Sequence, residues 1–270
     1  MPDLQPAGVR LEREGAIARI VLDRPAARNA LDLPMARGLR DAVAAVAADP
    51  AVRAVLIESS GAHFMVGGDV HRFNALLADG PAACRDEIDQ IIGAVHEAIA
   101  GIAALPCPVI GLAGGSVAGF GFSLAMACDL LVAAEDARFV LAYGAIGTTP
   151  DGGSTWHLPR LLGLRRALAA ALLNKPIDAN EALALGLACE VVPPAELATA
   201  GRALAGRLAA GPAAAQAGIK RLLRAALGSD LPTALAAERE SFLEMVVQAD
   251  FAEGVGAFAA RRPARFGAPG

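Results

Sequence analysis

The sequence is poor in cysteine and aromatic residues, and it carries little excess charge of either sign. Its four cysteines, Cys84, Cys107, Cys128 and Cys189, are far apart in 270 residues and form no C-x-x-C pair. This spacing argues against a disulfide framework and against a cysteine zinc site. The first residues also lack the basic and apolar segments of a secretory signal. We therefore expect a cytoplasmic protein in a reducing compartment.

The charge pattern excludes several classes of partner. The formal net charge is -4 and the calculated pI is about 5.6, with no block of like charges. Such a chain has no basic patch for nucleic acid or for an anionic membrane. Residues 98–128 carry no charge and could span a bilayer, but Pro106, Pro108 and several glycines interrupt them. The pattern instead predicts the end of a helix, a buried strand and a tight turn, and no membrane partner.

Hydrophobic residues make up 55% of the chain, which is enough for one sizeable core with a smaller appended part. In the first part of the chain, strands alternate with helices, which predicts a largely parallel sheet. Strands are predicted at 16–22, 52–57, 109–112, 130–134 and 138–141, and helices at 34–48 and 82–105. After residue 176 the pattern is helical except for a short strand at 189–192, with helices at 180–187, 195–209, 213–227, 231–248 and 251–260. We place a core at 1–195 and a helical cap or oligomerisation region at 196–270.

Two glycine turns are candidate sites. Gly67-Gly68 and Gly119-Phe120-Gly121 each follow a predicted strand. Glycine lets backbone N–H groups approach a reacting atom, and a helix beginning at the second turn would direct its positive end there. Such a pair of turns can hold an oxyanion. The other interpretation is that these glycines only turn corners.

Other motifs in this region are incomplete. Gly119 and Gly121 begin a dinucleotide fingerprint, but Leu124 occupies the third glycine position. Ser123 lies in a near match to the nucleophile elbow of serine hydrolases, but Asp151 and His157 follow it too closely for a triad on separate strands. The sequence therefore favours neither function.

A metal site is also not predicted. His63, Asp69 and His71 flank the first glycine turn without the fixed spacing of metal ligands. We expect them to be solvated loop residues.

Several motifs together resemble the crotonase superfamily, the enoyl-CoA hydratases and isomerases, over nearly the whole chain. The motifs are Leu22-Asp23-Arg24-Pro25 with Asn29-Ala30-Leu31, Phe64 to Val70, Gly115 to Gly121, Cys128-Asp129-Leu130, Thr149 to Ser154, and the ending Phe251-Ala252-Glu253-Gly254 to Phe258 with Arg261-Arg262-Pro263. The resemblance implies an α/β fold with a spiral core of ββα turns and a C-terminal helical trimerisation region. It also implies an acyl-CoA thioester as ligand, no cofactor beyond the coenzyme A of the substrate, and a homotrimer or a dimer of trimers.

The resemblance further implies roles for particular residues. The backbone N–H groups of Gly68 and Phe120 would form an oxyanion hole. The implied path of coenzyme A and its acyl group is lined by Arg28, Ala30, Val66, Asp69, Val70, Gly119, Ser123 and Tyr143. Phe258 and Arg261 would lie near the adenine and phosphates, of this subunit's ligand or of a neighbour's.

The departures from the family pattern bear on the chemistry. At the two positions where hydratases of this family carry glutamates, this chain has Ser123 and Tyr143, and neither is an acid or base near neutral pH. Asp151 lies where the family's isomerases carry their acid. One carboxylate is enough for a 1,3-proton shift, so the sequence favours an enoyl-CoA isomerase.

Other functions stay open at this stage. They are a hydratase, a non-catalytic CoA-binding protein and an acyl-CoA dehalogenase or hydrolase with Asp151 as nucleophile. For a dehalogenase, Tyr143 has the expected spacing to Asp151, but neither His71 nor His96 is a clear general base. Asp151 could also only close a loop as an Asx turn.

Overall fold

The computed structural model describes residues 8–267 and contains nine strands in two sheets. The strands are β1 (Val9–Glu14), β2 (Ile17–Leu22), β3 (Ala54–Ser59), β4 (Val109–Ala113), β5 (Ser116–Ala118), β6 (Leu130–Ala134), β7 (Arg138–Val140), β8 (Ile177–Asp178) and β9 (Glu190–Val192). The large sheet has the order β1-β2-β3-β4-β6-β9, and the small sheet has the order β5-β7-β8. In the large sheet only β1 and β2 pair antiparallel. The predicted, largely parallel sheet is therefore confirmed.

Residues 8–267 also contain eleven α-helices. They are α1 (Leu33–Ala47), α2 (Val70–Ala78), α3 (Pro81–Ala104), α4 (Phe120–Ala127), α5 (Ser154–Leu162), α6 (Leu164–Leu173), α7 (Ala179–Ala184), α8 (Leu197–Ala209), α9 (Ala213–Ala226), α10 (Leu231–Val246) and α11 (Ala249–Ala259). The helices predicted at 34–48, 82–105 and after 176 are confirmed, with shifts of a few residues at their ends. The sequence does not predict α2, α5 and α6.

The missed elements have physical explanations. The strand β1 alternates apolar residues with charged ones and pairs with β2 on one side only, so its apolar signal is weak. The helix α2 has nine residues, fewer than helical periodicity needs to be recognised. Pro159 lies inside α5, where proline normally argues against a helix. The strands β5 and β8 have three and two residues and are formed by pairing rather than by local pattern.

Helices pack on both faces of the large sheet. The helices α1 and α3 pack against one another and cover one face, where the main apolar core lies. The helix α8 covers the other face, over a smaller apolar cluster formed by Ala54, Leu56, Ile110, Leu112, Val132, Val192 and Ala205. The predicted division at residue 195 therefore places α8 in the C-terminal region, although this helix packs on the large sheet of the core. The division itself stays a prediction.

An ionic cluster attaches α9 to the core. Asp129, which follows α4, accepts hydrogen bonds from Lys220 and Arg224 at 2.7 Å each, and from the backbone N–H of Val109 at 2.9 Å. Lys220 also donates to the carbonyl oxygen of Cys107. These groups are mostly buried, so each charge depends on the others for compensation. The cluster holds the C-terminal helices close to α4.

The uncharged segment 98–128 has the predicted structure. It contains the end of α3, the buried strand β4, the turn with β5, and α4. No helix within residues 8–267 has both the length and the apolar composition that crossing a membrane requires.

Candidate active site

The two glycine turns meet backbone against backbone. A β-carbon added at Gly67, which has φ +89°, would lie 3.2 Å from the carbonyl oxygen of Ala118 and 3.2 Å from the α-carbon of Gly119. Gly119 itself has φ +52°, and a β-carbon there would lie 3.2 Å from the α-carbon of Gly67. Both conformations and both contacts favour glycine. The two turns therefore lie directly against one another, and the oxyanion hole that the sequence suggests stays a prediction.

Each turn presents an N–H group without a protein acceptor. The backbone N–H of Leu31 donates to the carbonyl oxygen of Gly67, and the backbone N–H of Asp69 donates to the carbonyl oxygen of Leu31. The N–H of Gly68, between these two residues, takes no part in this bridge. Phe120 begins α4, where the first N–H groups have no partner in the helix. Neither Gly68 nor Phe120 donates a backbone hydrogen bond to any described residue. These two amides and the positive end of α4 form a candidate site for a negatively charged oxygen.

A buried network supports the first turn. Asn29, which is fully buried, donates to the carbonyl oxygen of Phe64 at 3.0 Å and accepts from the backbone N–H of Arg24 at 2.7 Å. Arg24 pairs with Asp69 at 3.3 Å. Asp69 also accepts from the backbone N–H of Arg72 at 3.1 Å, which caps α2. Sequence reasoning assigned no role to Arg24 or Asn29, although the left-handed φ of Asn29 (+56°) is common for asparagine in turns.

The second loop places Asp151 beside α4. The Ser123 hydroxyl, fully buried on α4, donates to the backbone carbonyl oxygen of Asp151 at 3.0 Å, and Tyr143 donates to its carboxylate Oδ1. A β-carbon at the next residue, Gly152 (φ +59°), would lie 2.7 Å from the ring of Phe120. The lone acid and the N–H group of Phe120 therefore belong to one small region of the molecule.

Burial controls the charge of this region. It raises the pKa of Asp151, while the Tyr143 hydroxyl and the nearby His96 favour the carboxylate and limit the rise. Burial and the charge of Asp151 raise the pKa of Tyr143, so its hydroxyl keeps its proton at neutral pH. Burial, Arg224 and Arg160 lower the pKa of His157 to about 4, so this histidine is neutral at pH 7.

His96 on α3 influences the charge of Asp151. One turn further along α3, Ile99 contacts the Asp151 loop, since a β-carbon at Gly153 would lie 3.7 Å from its side chain. Residues three apart share a helix face, and the positive charge of His96 acts on Asp151. No pattern in the sequence indicates this electrostatic link, because it follows from the packing of α3 on the loop.

The alternative sites seen in the sequence are not assembled. The Ser123 hydroxyl donates to a carbonyl oxygen and lies 3.2 Å from the Tyr143 hydroxyl. No histidine of the described residues bonds to it, so residues 8–267 contain no hydrolase triad at Ser123. The Nδ1 atom of His63 accepts from the backbone N–H of Ser116, and Asp69 is engaged with Arg24. Residues 8–267 contain no group of three or more potential metal ligands.

The remaining candidate residues lie in two places. Arg28, Ala30, Val66 and Val70 are in or next to the loops that form the bridge between Leu31 and Gly68; Arg28 and Val70 are exposed, and Val66 is half-buried. Phe258 lies near the end of α11 and is 88% exposed. Arg261 follows it with φ +49°, and its side chain has no hydrogen bond or ion pair with any described residue. Within residues 8–267, no hydrogen bond or ion pair links Phe258 or Arg261 to the loop around Asp151.

Comparison with known proteins gives a consistent result. Residues 12–269 match the family profile described as enoyl-CoA hydratase/isomerase. A protein of Rhodobacter capsulatus named "Probable enoyl-CoA hydratase" is 37% identical over 96% of this chain and 97% of its own length. The 1,2-epoxyphenylacetyl-CoA isomerase of Escherichia coli is 33% identical over 94% of this chain and 95% of its own length.

Solved structures agree in fold. An enoyl-CoA hydratase from a Polaromonas species superposes with a TM-score of 0.89 at 33% identity, covering 96% of this chain and 99% of the other. The profile match, the whole-length relatives and the shared fold lead to one conclusion. This chain belongs to the enoyl-CoA hydratase/isomerase family and has the crotonase fold.

Proposed function

We propose that this enzyme moves a double bond in an enoyl-CoA thioester from the 3,4 to the 2,3 position, with Asp151 as its proton carrier. The proposal rests on the side chains that surround Asp151. Asp151 has a raised pKa and lies beside the turn of Phe120, while Ser123 and Tyr143 hold it by hydrogen bonds. Neither hydroxyl group can replace the second carboxylate that hydration requires.

The reaction needs only groups that this region contains. The backbone N–H groups of Gly68 and Phe120 donate hydrogen bonds to the thioester carbonyl oxygen, and the Asp151 carboxylate removes a proton from C2. The electron pair of the C–H bond moves onto the oxygen and gives a dienolate, which the two amides stabilise. The same carboxyl group then returns the proton at C4, so the double bond reforms between C2 and C3. Coenzyme A is part of the substrate, and no further cofactor takes part.

The other candidate residues receive roles under this proposal. Coenzyme A passes along the loop edge formed by Arg28, Ala30, Val66, Asp69 and Val70, and the acyl group enters past Gly119 toward Ser123 and Tyr143. Val70 and Arg28 are exposed there and available to a ligand. We place the reaction in the cytoplasm, because coenzyme A thioesters are metabolites of the cell interior.

A second candidate function rests on His96. A carboxylate that attacks carbon directly requires a base for the water that later hydrolyses the acyl or aryl ester. The observation that favours this function is that His96, on α3, favours the charged form of Asp151. Hydration remains a third candidate, since several relatives are named hydratases. A CoA-binding protein without catalytic activity is the fourth.

A panel of thioesters separates these functions. We expect 3-enoyl-CoA to be converted to the conjugated 2-enoyl-CoA, because one carboxylate suffices, and crotonyl-CoA to be hydrated at close to the background rate. The measurement is the absorbance of the conjugated thioester, together with mass spectrometry of the products and a 4-halobenzoyl-CoA in parallel. Rapid hydration of crotonyl-CoA would refute the isomerase proposal in favour of a hydratase. Release of halide would favour a dehalogenase, and binding without any turnover would favour a CoA-binding protein.

We also propose that the enzyme is a homotrimer or a dimer of such trimers. The C-terminal helices expose many large apolar side chains: Ile219, Leu223, Leu227, Leu231, Leu235, Phe242, Leu243, Val246, Val247, Phe251, Val255 and Phe258. The helices α5 and α6 expose a second set, Trp156, Leu161, Leu164, Leu168, Leu172 and Leu173. Apolar surface of this extent is typical of a subunit interface. A neighbouring subunit could then bring Phe258 and Arg261 to a bound coenzyme A.

The mass in solution tests this assembly. Light scattering should give about three or six times the chain mass of 27.3 kDa. The variant Phe242→Glu places a charge on a side chain that is 63% exposed on α10, so we expect it to shift the mass toward one chain. Leu183→Glu, on α7 outside both apolar sets, is the control and should keep the wild-type mass. A wild-type mass of a single chain would refute the proposal.

A further inference from the structure

Hydroxyl groups hold Asp151 at both its side chain and its backbone. Tyr143 donates to the carboxylate Oδ1. Ser123 and Ser154 donate to the backbone carbonyl oxygen at 3.0 and 2.9 Å. The loop around Asp151 has no regular structure, and Gly152 beside it has a left-handed φ. The two serine hydroxyls hold the backbone of Asp151, and the Tyr143 hydroxyl alone orients its carboxylate.

The two carboxylate oxygens of Asp151 differ in their hydrogen bonds. Tyr143 keeps its proton, because burial and the adjacent charge raise the pKa of its hydroxyl, and that proton is directed to Oδ1. The single proton of Ser123 goes to the carbonyl oxygen of Asp151, which is nearer than the Tyr143 hydroxyl. Oδ2 accepts no hydrogen bond from residues 8–267 and is not sealed from the surface. It is therefore the oxygen available to a substrate.

The position of Tyr143 is itself fixed by the backbone. Ala142, the residue before it, has φ +60°, a left-handed conformation that costs a residue with a β-carbon about 1 kcal/mol. The N–H of Tyr143 donates to the carbonyl oxygen of Leu141 at 2.8 Å, and its own carbonyl oxygen accepts from Thr148 at 3.2 Å. Strain of this kind persists where the surroundings determine the conformation, often at functional sites.

We propose that Tyr143 is a positioning residue, which holds Oδ1 of Asp151 so that Oδ2 alone carries the proton between C2 and C4. This role goes beyond contact with the acyl group, and it rests on the proposed function in which Asp151 is the proton carrier. When Asp151 takes the substrate proton on Oδ2, Oδ1 becomes the carbonyl oxygen of the acid and still accepts from Tyr143. The carboxyl group then needs no rotation before it returns the proton.

Three titratable groups face Asp151 or its loop. They are Tyr143 itself, His96 on α3, and His157 on α5, which contacts the neighbouring Gly153 and has its pKa lowered to about 4. A pH titration that follows Asp151 must distinguish its signal from the signals of the two histidines. Replacing each histidine in turn makes this distinction.

The first test needs no catalytic turnover, because Tyr143 is the only tyrosine in the sequence. Tyrosine labelled with carbon-13 at Cζ gives one NMR signal, which reports its hydrogen bond directly. In the free enzyme we expect this signal to move as Asp151 titrates, and the step should vanish in Asp151→Asn. The step should persist in His157→Gln and move to higher pH in His96→Gln, since the charge of His96 favours the carboxylate. The same step in Asp151→Asn as in wild type would overturn the proposal.

The second test is kinetic. Tyr143→Phe keeps the ring but removes the bond that favours the carboxylate, so the acidic limb of kcat/KM should move to higher pH. A hydrogen bond to a charged group is typically worth about 10- to 100-fold, and we expect about that loss in kcat with KM nearly unchanged. Ser154→Ala removes only a hydrogen bond to the backbone carbonyl oxygen of Asp151. In this control variant the acidic limb of kcat/KM should stay at the wild-type pH.

The two tests fail separately. An unchanged limb and rate in a folded Tyr143→Phe, checked by circular dichroism, would refute the positioning role. If no isomerisation is found but the NMR step is present and depends on Asp151, the contact is real and the proposed reaction is wrong.

Discussion

Asp151→Asn is expected to lower kcat for the isomerisation by about 10²- to 10⁴-fold, the range found for the loss of a general acid or base. Asparagine has nearly the same shape and can still accept from Tyr143, so KM should change little. It cannot take up or return a proton. The measurement is the initial rate of conjugation of 3-enoyl-CoA, with acyl-CoA binding measured by calorimetry.

The same substitution should make the protein more stable at neutral pH. Burial raises the pKa of Asp151, so the folded state bears a cost for ionising it. That cost is fully present above the raised pKa and disappears below the ordinary pKa of aspartate, where the side chain is protonated in both states. The gain in the free energy of unfolding should therefore be seen at pH 7 and shrink as the pH falls into the acid range.

The control for both effects is Asp89→Asn, on an exposed side chain of α3 that makes no hydrogen bond or ion pair with any described residue. It should keep the wild-type rate and stability. Full activity in Asp151→Asn would remove this residue from the mechanism. A lower free energy of unfolding in Asp151→Asn at pH 7 would show that the hydrogen bonds of the carboxylate outweigh the cost of burying its charge.

Gly67→Ala is expected to have the second largest effect. Its β-carbon would lie 3.2 Å from both the Ala118 carbonyl oxygen and the Gly119 α-carbon, and these neighbours are backbone atoms that cannot rotate away. The two turns must therefore separate, which misaligns the N–H groups of Gly68 and Phe120. Because one such donor is worth about 10²- to 10³-fold in rate, we expect kcat to fall by about that factor.

The matched control is Gly15→Ala. Gly15 also has a left-handed φ, +58°, but a β-carbon there has no atom within 4 Å. Both variants bear the backbone strain of about 1 kcal/mol, which can be measured by denaturant unfolding. Only Gly67→Ala should lose activity in addition. Equal rates in the two variants would show that the contact between the turns is not needed for the chemistry.

The sequence alone determined the family, the alternation of strands and helices, and the pairing of two glycine turns with a lone acid. These features are local: they depend on periodicity, on residues that permit unusual backbone angles, and on short motifs. Within the site, the sequence also located Gly68, Phe120, Ser123, Tyr143 and Asp151 as candidates, and the structure places Ser123, Tyr143 and Asp151 in one hydrogen-bonded group beside Phe120.

Only the tertiary structure decided how these residues act on one another. The contact of Gly67 with Gly119, the bond from Tyr143 to Oδ1 and the approach of His96 from α3 join positions 52, 8 and 55 residues apart. No local pattern specifies such distances or directions, because they follow from how helices pack on the sheet. The raised pKa of Asp151 has the same origin, since burial belongs to the assembled fold and not to the sequence around the residue.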